Sequence, residues 1–393
     1  MGAVITGIAR TPLGKFGGAM APMRAVELGS EVIKGALDRS QLDPSLVDEV
    51  LFGQVLQAGE GQITARQAAV RAGVPMTVPS TTINKVCLSG MTAIAMADRS
   101  VRLGEASFVV AGGMESMSNT PYLVPSARWG ARMGDAQLID VMMHDGLRCS
   151  FDHCAMGESS DLKNAQLGIS RQEQDEWAAE SHRRAVQAVE AGAFKDEIVT
   201  VLVPQRKKEP IAVDHDEGIR PDTTVESLSR LRPAFTSEGT TTAGNASQIS
   251  DGAAAVIVAD RAAAEAAGIP VLAEIVAYGQ IGGPDATLQE RPAEALNVAL
   301  KKAGMAPGDL DLVEINEAFA SVALWSARML DLAHDKVNVN GGAVALGHPV
   351  GATGARIVVT LVNELTRRGG GVGAATLCGG GGQGDALIIK VGG

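Results

Sequence analysis

The sequence predicts an α/β fold made of two similar halves with a loop-rich segment inserted between them. Three observations lead there. Strand-like apolar runs alternate with helix-periodic stretches up to about residue 117 and again from about 251. That alternation marks parallel strands joined by crossover helices. The two ends also echo each other. Val47–Phe52 resembles Leu310–Ile315 in pattern and context, and the helix–strand–glycine order of 88–113 recurs at 352–382, a weak internal duplication. From 118 to 250 the alternation loosens, punctuated by Pro121, Pro125, Gly130 and Gly134. The expected division is 1–117 for the first half, 118–250 for the insertion with a return of the first half near its end, and 251–393 for the second half.

In chain order, Ala3–Ile8 reads as a buried strand and Met23–Arg39 as a helix. Val47–Phe52 is a short apolar strand. Ile63–Arg71 is a helix stopped by Gly73 and Pro75. Met91–Val101 has helical spacing, and Ser107–Ala111 is a β-branched strand closed by Gly112 and Gly113. The insertion holds one strong helix, opened by the capping box Ser170–Glu173 and ended by Gly192. Ala253–Val258 and Val271–Ala277 read as strands, Ala293–Lys302 as a helix and Asp311–Ile315 as a strand. Ala352–Arg367 is a helix ended by Gly369–Gly371. Val372–Leu377 and Ala386–Val391 are the last strands.

Composition narrows the function. The 393 residues are 46% hydrophobic and 20% charged, which fits a globular protein and argues against disorder. Thirty-four basic against forty-five acidic residues give −11, a field that repels nucleic acid and anionic membranes. Aromatics are only 3%, too few for stacking platforms. An anionic ligand must therefore be held by local positive groups. Cys149 and Cys154 form a lone C-x4-C, poor zinc spacing, so no metal site is expected. Four thiols in a long chain point to a reducing, cytoplasmic setting. The opening Met1-Gly2 matches a myristoylation pattern, but Ala3–Ile8 reads better as the first strand, and no run approaches the ~20 apolar residues of a membrane span.

Four glycine-flanked islands carry reactive side chains. Asn84-Lys85-Val86-Cys87-Leu88-Ser89-Gly90 puts a cysteine at the start of a helix, where the dipole favours thiolate, although the same pattern fits a packed core cysteine. Asn316-Glu317-Ala318-Phe319-Ala320 follows a strand. Its amide can donate to a developing oxyanion, and Asn and Glu also cap helices. Gly347-His348-Pro349-Val350-Gly351-Ala352-Thr353-Gly354 fixes a histidine by its proline and glycines, and that imidazole can take a proton from a thiol. The other five histidines lack such framing and read as surface or satisfied residues. Cys378-Gly379-Gly380-Gly381-Gly382-Gln383-Gly384 follows a strand and fits neither a P-loop nor a dinucleotide fingerprint. A cysteine beside bare backbone N–H groups suits acid–base work next to an oxyanion hole.

Together the four islands resemble the thiolase family of acyl-CoA acetyltransferases. The resemblance is collinear from Ile8-Ala9-Arg10-Thr11-Pro12 to Gly384, with further matches at Gln67-Ala68-Ala69, Ala111–Met117 and Asn338–Gly342. It implies two βαβαβαββ halves stacked as five αβαβα layers. Cys87 would carry the acyl group, His348 would activate it, and Cys378 would move the α-proton of acetyl-CoA. Asn316 would position a water that forms one oxyanion hole with His348, and the Cys87 and Gly380 N–H groups would form the other. Coenzyme A would meet Leu147, Met156, Arg220, Phe235, Ala243, Ser247, Ala318 and Phe319. Arg220 would lie at the nucleotide end, although it also reads as an ordinary solvated arginine. The implied reaction joins two acetyl-CoA to acetoacetyl-CoA and CoA, without metal or redox cofactor. A homotetramer is implied by the loop motifs around Met133–Asp135 and Ile139–Leu147. The stretch Cys154–Asp161 departs from the family pattern, and this keeps a degradative, broader 3-ketoacyl-CoA thiolase as the alternative.

Overall fold

The computed structural model describes residues 2–392. One ten-stranded sheet runs through the molecule. Its strands are β1 (Ala3–Arg10), β2 (Gly14–Lys15), β3 (Glu49–Gly53), β4 (Ser80–Ile83), β5 (Phe108–Ser116), β6 (Ser250–Asp260), β7 (Ala273–Gly282), β8 (Leu312–Ile315), β9 (Gly371–Gly379) and β10 (Gln383–Val391). Their order is β8-β9-β10-β7-β1-β6-β5-β3-β4, with β2 beside β6. The duplication is visible in this order. The first half reads β4-β3-β5-β6-β1 and the second β8-β9-β10-β7, with Val337 bridging Val313 in parallel where β4 pairs with β3. The two runs echoed in the sequence thus become the equivalent strands β3 and β8. The halves join where Val4 and Ile5 of β1 face Glu274 and Ala273 of β7. By sheet membership, the strand Ser250–Asp260 belongs to the first half, and the second begins with β7.

The main helices are α1 (Ala25–Ser40), α2 (Thr64–Arg71), α3 (Ser89–Arg102), α4 (Met156–Leu167), α5 (Arg171–Glu190), α6 (Arg291–Ala303), α7 (Ala320–Met329) and α8 (Val350–Arg367). Strand side chains alternate between two faces, and this sorts the core into layers. Val50 and Val110 pack with α1 and α2 on one side of the first half. Leu51 and Val109 face α3 and α8 in the middle, as do Ala375 and Leu377 of β9. Ala374 and Ile388 face α6 and α7 on the far side. Helix, sheet, helix pair, sheet and helix make the five expected layers.

The expected end of β5 at Gly112–Gly113 is corrected. The strand continues to Ser116, because these glycines serve close approach and not a turn. A Cβ on Gly112 would lie 2.2 Å from the Ala254 carbonyl oxygen, and one on Gly113 2.1 Å from that of Gly351. The insertion joins β5 to β6, at the place where the second half has only the Gly380–Gly382 turn between β9 and β10. Its strongest helix is the expected one: Ser170 Oγ accepts the Glu173 N–H at 3.2 Å while Glu173 accepts that of Ser170 at 2.7 Å. Among the described residues no helix is long and apolar enough to cross a membrane.

Candidate active site

The two central helices start at the same end of the molecule, and the reactive groups gather there. A Cβ on Gly53 would lie within 2.8 Å of both the Gly90 nitrogen at the head of α3 and the Gly351 oxygen at the head of α8. Cys87 lies just before α3 and His348 just before α8. Asn316 follows β8, and Cys378 is the last residue but one of β9.

Cys87 is presented by a strained turn. Val86 has φ +51°, a left-handed conformation that costs a β-branched residue on the order of 1–3 kcal/mol. Local hydrogen bonds hold it. The Val86 N–H donates to Asn84 Oδ1 at 3.0 Å, the Lys85 N–H to Ser89 Oγ at 2.8 Å, and Ser89 Oγ to the Val86 carbonyl at 2.6 Å. The Lys85 ammonium pins the loop to buried Asp385 at 2.7 Å. Burial pushes the Cys87 thiol up to about 12, and the backbone N–H groups of Gly380 and of Cys87 itself offset this only in part. The expectation that a helix dipole would favour the resting thiolate is therefore corrected. Desolvation outweighs the helix end, and the resting group is a thiol that needs a base.

His348 can be that base. Burial, with Arg356 nearby, lowers its pKa to about 3, so the ring is neutral. The Thr353 hydroxyl donates to the Pro349 carbonyl at 2.9 Å, which leaves its lone pairs to accept His348 Nδ1–H at 2.6 Å. That contact fixes the tautomer and leaves Nε2 as the acceptor. The Asn316 amide nitrogen lies 3.5 Å from Nε2, and Asn316 Oδ1, fully buried, has no hydrogen-bond partner among the described residues. The turn before the ring requires glycine: Gly347 has φ +123°, and a Cβ there would lie 2.3 Å from Ser250 Oγ. Glu115 ties the two halves together at this point. Its carboxylate accepts the N–H groups of Val55, Leu56 and Gly351 at 3.0, 3.1 and 2.9 Å.

Cys378 is buried, and desolvation together with the neighbouring Cys87 thiol holds its own thiol far above the usual range. Glu317, next to Asn316, is an anchor. Trp177, Ser181, Asn338 and the Val344 N–H all donate to its carboxylate at 2.8–3.0 Å.

One cavity of about 530 Å³ opens onto these groups, and its walls are mostly apolar. Cys87, His348, Cys378 and Gly380 lie on it, and so do Leu147, Met156, Arg220, Phe235, Ala243, Ser247, Ala318 and Phe319. Every residue picked out in the sequence thus lines one space, except Asn316, which reaches it through His348. The insertion supplies the outer wall. The Phe235 ring packs edge-on against Phe319, 6.1 Å between centroids, and over Gly157 at the start of α4. Arg220 is exposed on the cavity wall, its backbone N–H held by buried His182 Nδ1 at 3.1 Å. Of the other histidines, His182 is thus satisfied in the core, and His144, His153, His215 and His334 are exposed.

Lys15, Met117, Leu288 and Thr353 were not picked out from the sequence. The first three line the cavity and the last orients His348. Thr353 falls within the glycine-rich run after His348 and Met117 within the Ala111–Met117 match, whereas nothing local marks Lys15 or Leu288. Among the described residues no group of three or more His, Cys, Asp or Glu side chains is placed to hold a metal ion.

Two buried thiols, a neutral imidazole, an amide and bare N–H groups around one apolar cavity are the equipment of acyl transfer through a cysteine. The comparisons agree. Residues 3–262 match the thiolase N-terminal domain and residues 269–391 the thiolase C-terminal domain. The chain belongs to the thiolase family. It is 52% identical to the probable acetyl-CoA acetyltransferase of Mycolicibacterium smegmatis over 97% of this chain and 98% of that one. It is 49% identical to the acetyl-CoA acetyltransferase of Pseudomonas aeruginosa over 98% of each. The crystal structure of the Bacillus anthracis acetyl-CoA acetyltransferase superposes with a TM-score of 0.97 at 43% identity, covering 99% of this chain and 98% of that one.

Proposed function

We propose that the protein is an acetyl-CoA C-acetyltransferase, which reversibly joins two acetyl-CoA into acetoacetyl-CoA and CoA through an acetyl group carried on Cys87. The gathering of the predicted residues around one cavity is the observation that carries this reading. In the first half-reaction the Cys87 sulfur attacks the acetyl carbonyl carbon and its proton passes to His348 Nε2. The carbonyl oxygen, as it gains charge, takes the Cys87 and Gly380 N–H groups. The departing CoA thiolate takes a proton from Cys378.

That transfer gives the raised Cys378 thiol its purpose. A thiol held so high is a poor thiolate at rest. Once stripped of its proton in an apolar site it is a strong base, matched to the weakly acidic α-proton of a second acetyl-CoA. The resulting carbanion attacks the Cys87 thioester, and Cys87 leaves as thiolate. Asn316, through a water, and His348 stabilise the oxygen of the second substrate. A positioned base typically supplies ~10²–10⁴ in rate and one oxyanion donor ~10²–10³, so the reaction draws on both. The scheme uses no metal and no redox cofactor, and the CoA thioesters are substrates.

Arg220, and Lys15 on the same cavity, would offset the acidic surface for the nucleotide end of CoA. The assembly we propose is a homotetramer, supported by the exposed Trp129, Met133 and Leu138 of the insertion, 80%, 97% and 63% accessible. A cytoplasmic setting is supported by four free thiols.

Thiolysis of 3-ketoacyl-CoAs of increasing chain length tests the reading. Activity highest on acetoacetyl-CoA and falling steeply with length is expected. Equal or faster cleavage of longer chains would replace it with the degradative, broader enzyme, with Cys154–Asp161 as the segment that widens the pocket.

A further inference from the structure

Cys149 and Cys154 take no part in the proposed reaction. They bracket the four residues Ser150–His153 at the tip of a short hairpin. Arg148 pairs with Ala155 antiparallel, and one rung further Cys149 stands opposite Cys154, whose carbonyl accepts the Cys149 N–H at 2.9 Å. Opposed residues on antiparallel strands have Cα atoms about 4.5–5.5 Å apart, inside the ~4.4–6.8 Å that a disulfide spans. The Cys149 sulfur is turned to the loop: it accepts the Asp152 N–H at 3.4 Å and faces the Asp152 carboxylate at 3.8 Å. Cys149 is buried and Cys154 half-buried, so a reagent in solution meets Cys154 first.

The hairpin is also part of the cavity wall. Leu147 enters it, Ala155 and Met156 leave it, and all three line the cavity. At its tip the Phe151 ring edge lies 3.1 Å from where a Cβ on Gly381 would stand, next to Gly380.

We propose that Cys149 and Cys154 form a reversible disulfide under oxidising conditions, and that the bond clamps the hairpin and so changes the cavity wall. The oxidant is a low-molecular-weight disulfide. The Cys154 thiolate attacks one of its sulfurs, which breaks that S–S bond and releases one small thiolate to be protonated. The Cys149 thiolate then attacks the Cys154 sulfur of the mixed disulfide, forms the internal bond and releases the second small thiol. Two protein thiols lose two electrons and two protons, and one small disulfide becomes two thiols. Burial, with Asp152 and Glu158 nearby, pushes the Cys154 thiol up, so the reaction is run at mildly alkaline pH.

The whole protein is incubated with oxidised glutathione, free thiols are alkylated, and peptides are weighed. The peptide holding both cysteines is expected unalkylated and two hydrogens lighter, restored by dithiothreitol. On oxidation kcat/KM for CoA should fall about tenfold in the wild type, since shifts of ~1 Å in positioning groups cost up to ~10². The Cys154→Ser variant should lack this component, because any loss common to both proteins belongs to Cys87 or Cys378. Glutathione retained on Cys154, alkylation of both cysteines, a bond from either to Cys378, or equal kinetic loss in the two proteins would overturn the proposal.

Discussion

The chemistry rests on His348 being both neutral and held in one tautomer. The Thr353 hydroxyl does the holding, with its proton on the Pro349 carbonyl and its lone pair on Nδ1–H. Thr353→Val removes the acceptor and keeps the shape. It should lower kcat by about 10–10², a fraction of what general-base catalysis supplies, with little change in KM. Thr353→Ser should restore most of it. Steady-state kinetics of the three proteins checks this, and a near wild-type kcat for the valine variant would remove Thr353 from the account. The reactive residues themselves were legible in the sequence because each sits in a distinctive run of glycine, proline and small residues. Thr353 lay inside the His348 run but was given no role, because nothing in the run shows that a hydroxyl five residues on folds back to the ring.

Among the elements, α3 and α8 fit closely enough to need glycine on both sides. A Cβ on Gly354 would lie 2.5 Å from the Met91 nitrogen, and one on Gly90 2.8 Å from the Ala355 nitrogen. This contact sets the distance between the turn that bears Cys87 and the turn that bears His348. Gly354→Ala must push the helices apart. Overpacking of this kind costs ~1–3 kcal/mol, visible as a lower urea midpoint. An unchanged midpoint would mean that the helix pair has slack, and the close approach would not fix the site. Helices α3 and α8 were both legible, since their apolar positions recur at helical spacing. Other elements escaped, and four of them show why. Met156–Leu167 carries Gly, Ser, Asp and Asn in place of an apolar stripe and buries mostly small or polar residues. Ser80–Ile83 is a half-buried polar strand, and the hairpin Val201–Gln205 with Lys208–Val213 leaves one face exposed.

For the molecule as a whole, the two halves were legible from β3 and β8, whose apolar runs are buried on both faces and so survive duplication as a pattern. The sheet that joins them through β1 and β7 was not, because edge pairing between halves leaves no periodicity. Burial also gives the molecule an acid response. His348 and His182 are held down to about 3 and about 4, against about 6.5 for a free histidine. Below about 6.5 the unfolded chain binds protons that the native state refuses. The stability carried by the neutral rings is therefore whole above that pH and is lost as the pH falls towards 4. Buried Glu115, raised to about 7 mainly by desolvation, works in the opposite sense, so the informative quantity is a difference between proteins. Relative to wild type, the Tm of His182→Gln should rise as the pH falls from about 7 to about 5. A difference independent of pH would show that His182 titrates normally.

The most direct measurement is to mix the enzyme with acetyl-CoA, quench it in acid and locate the acetyl group by peptide mass. One acetyl group is expected on Cys87, discharged by CoA. The Cys378→Ala variant should still take up the acetyl group and make no acetoacetyl-CoA. Acetyl on another residue, or normal condensation without Cys378, would contradict the mechanism.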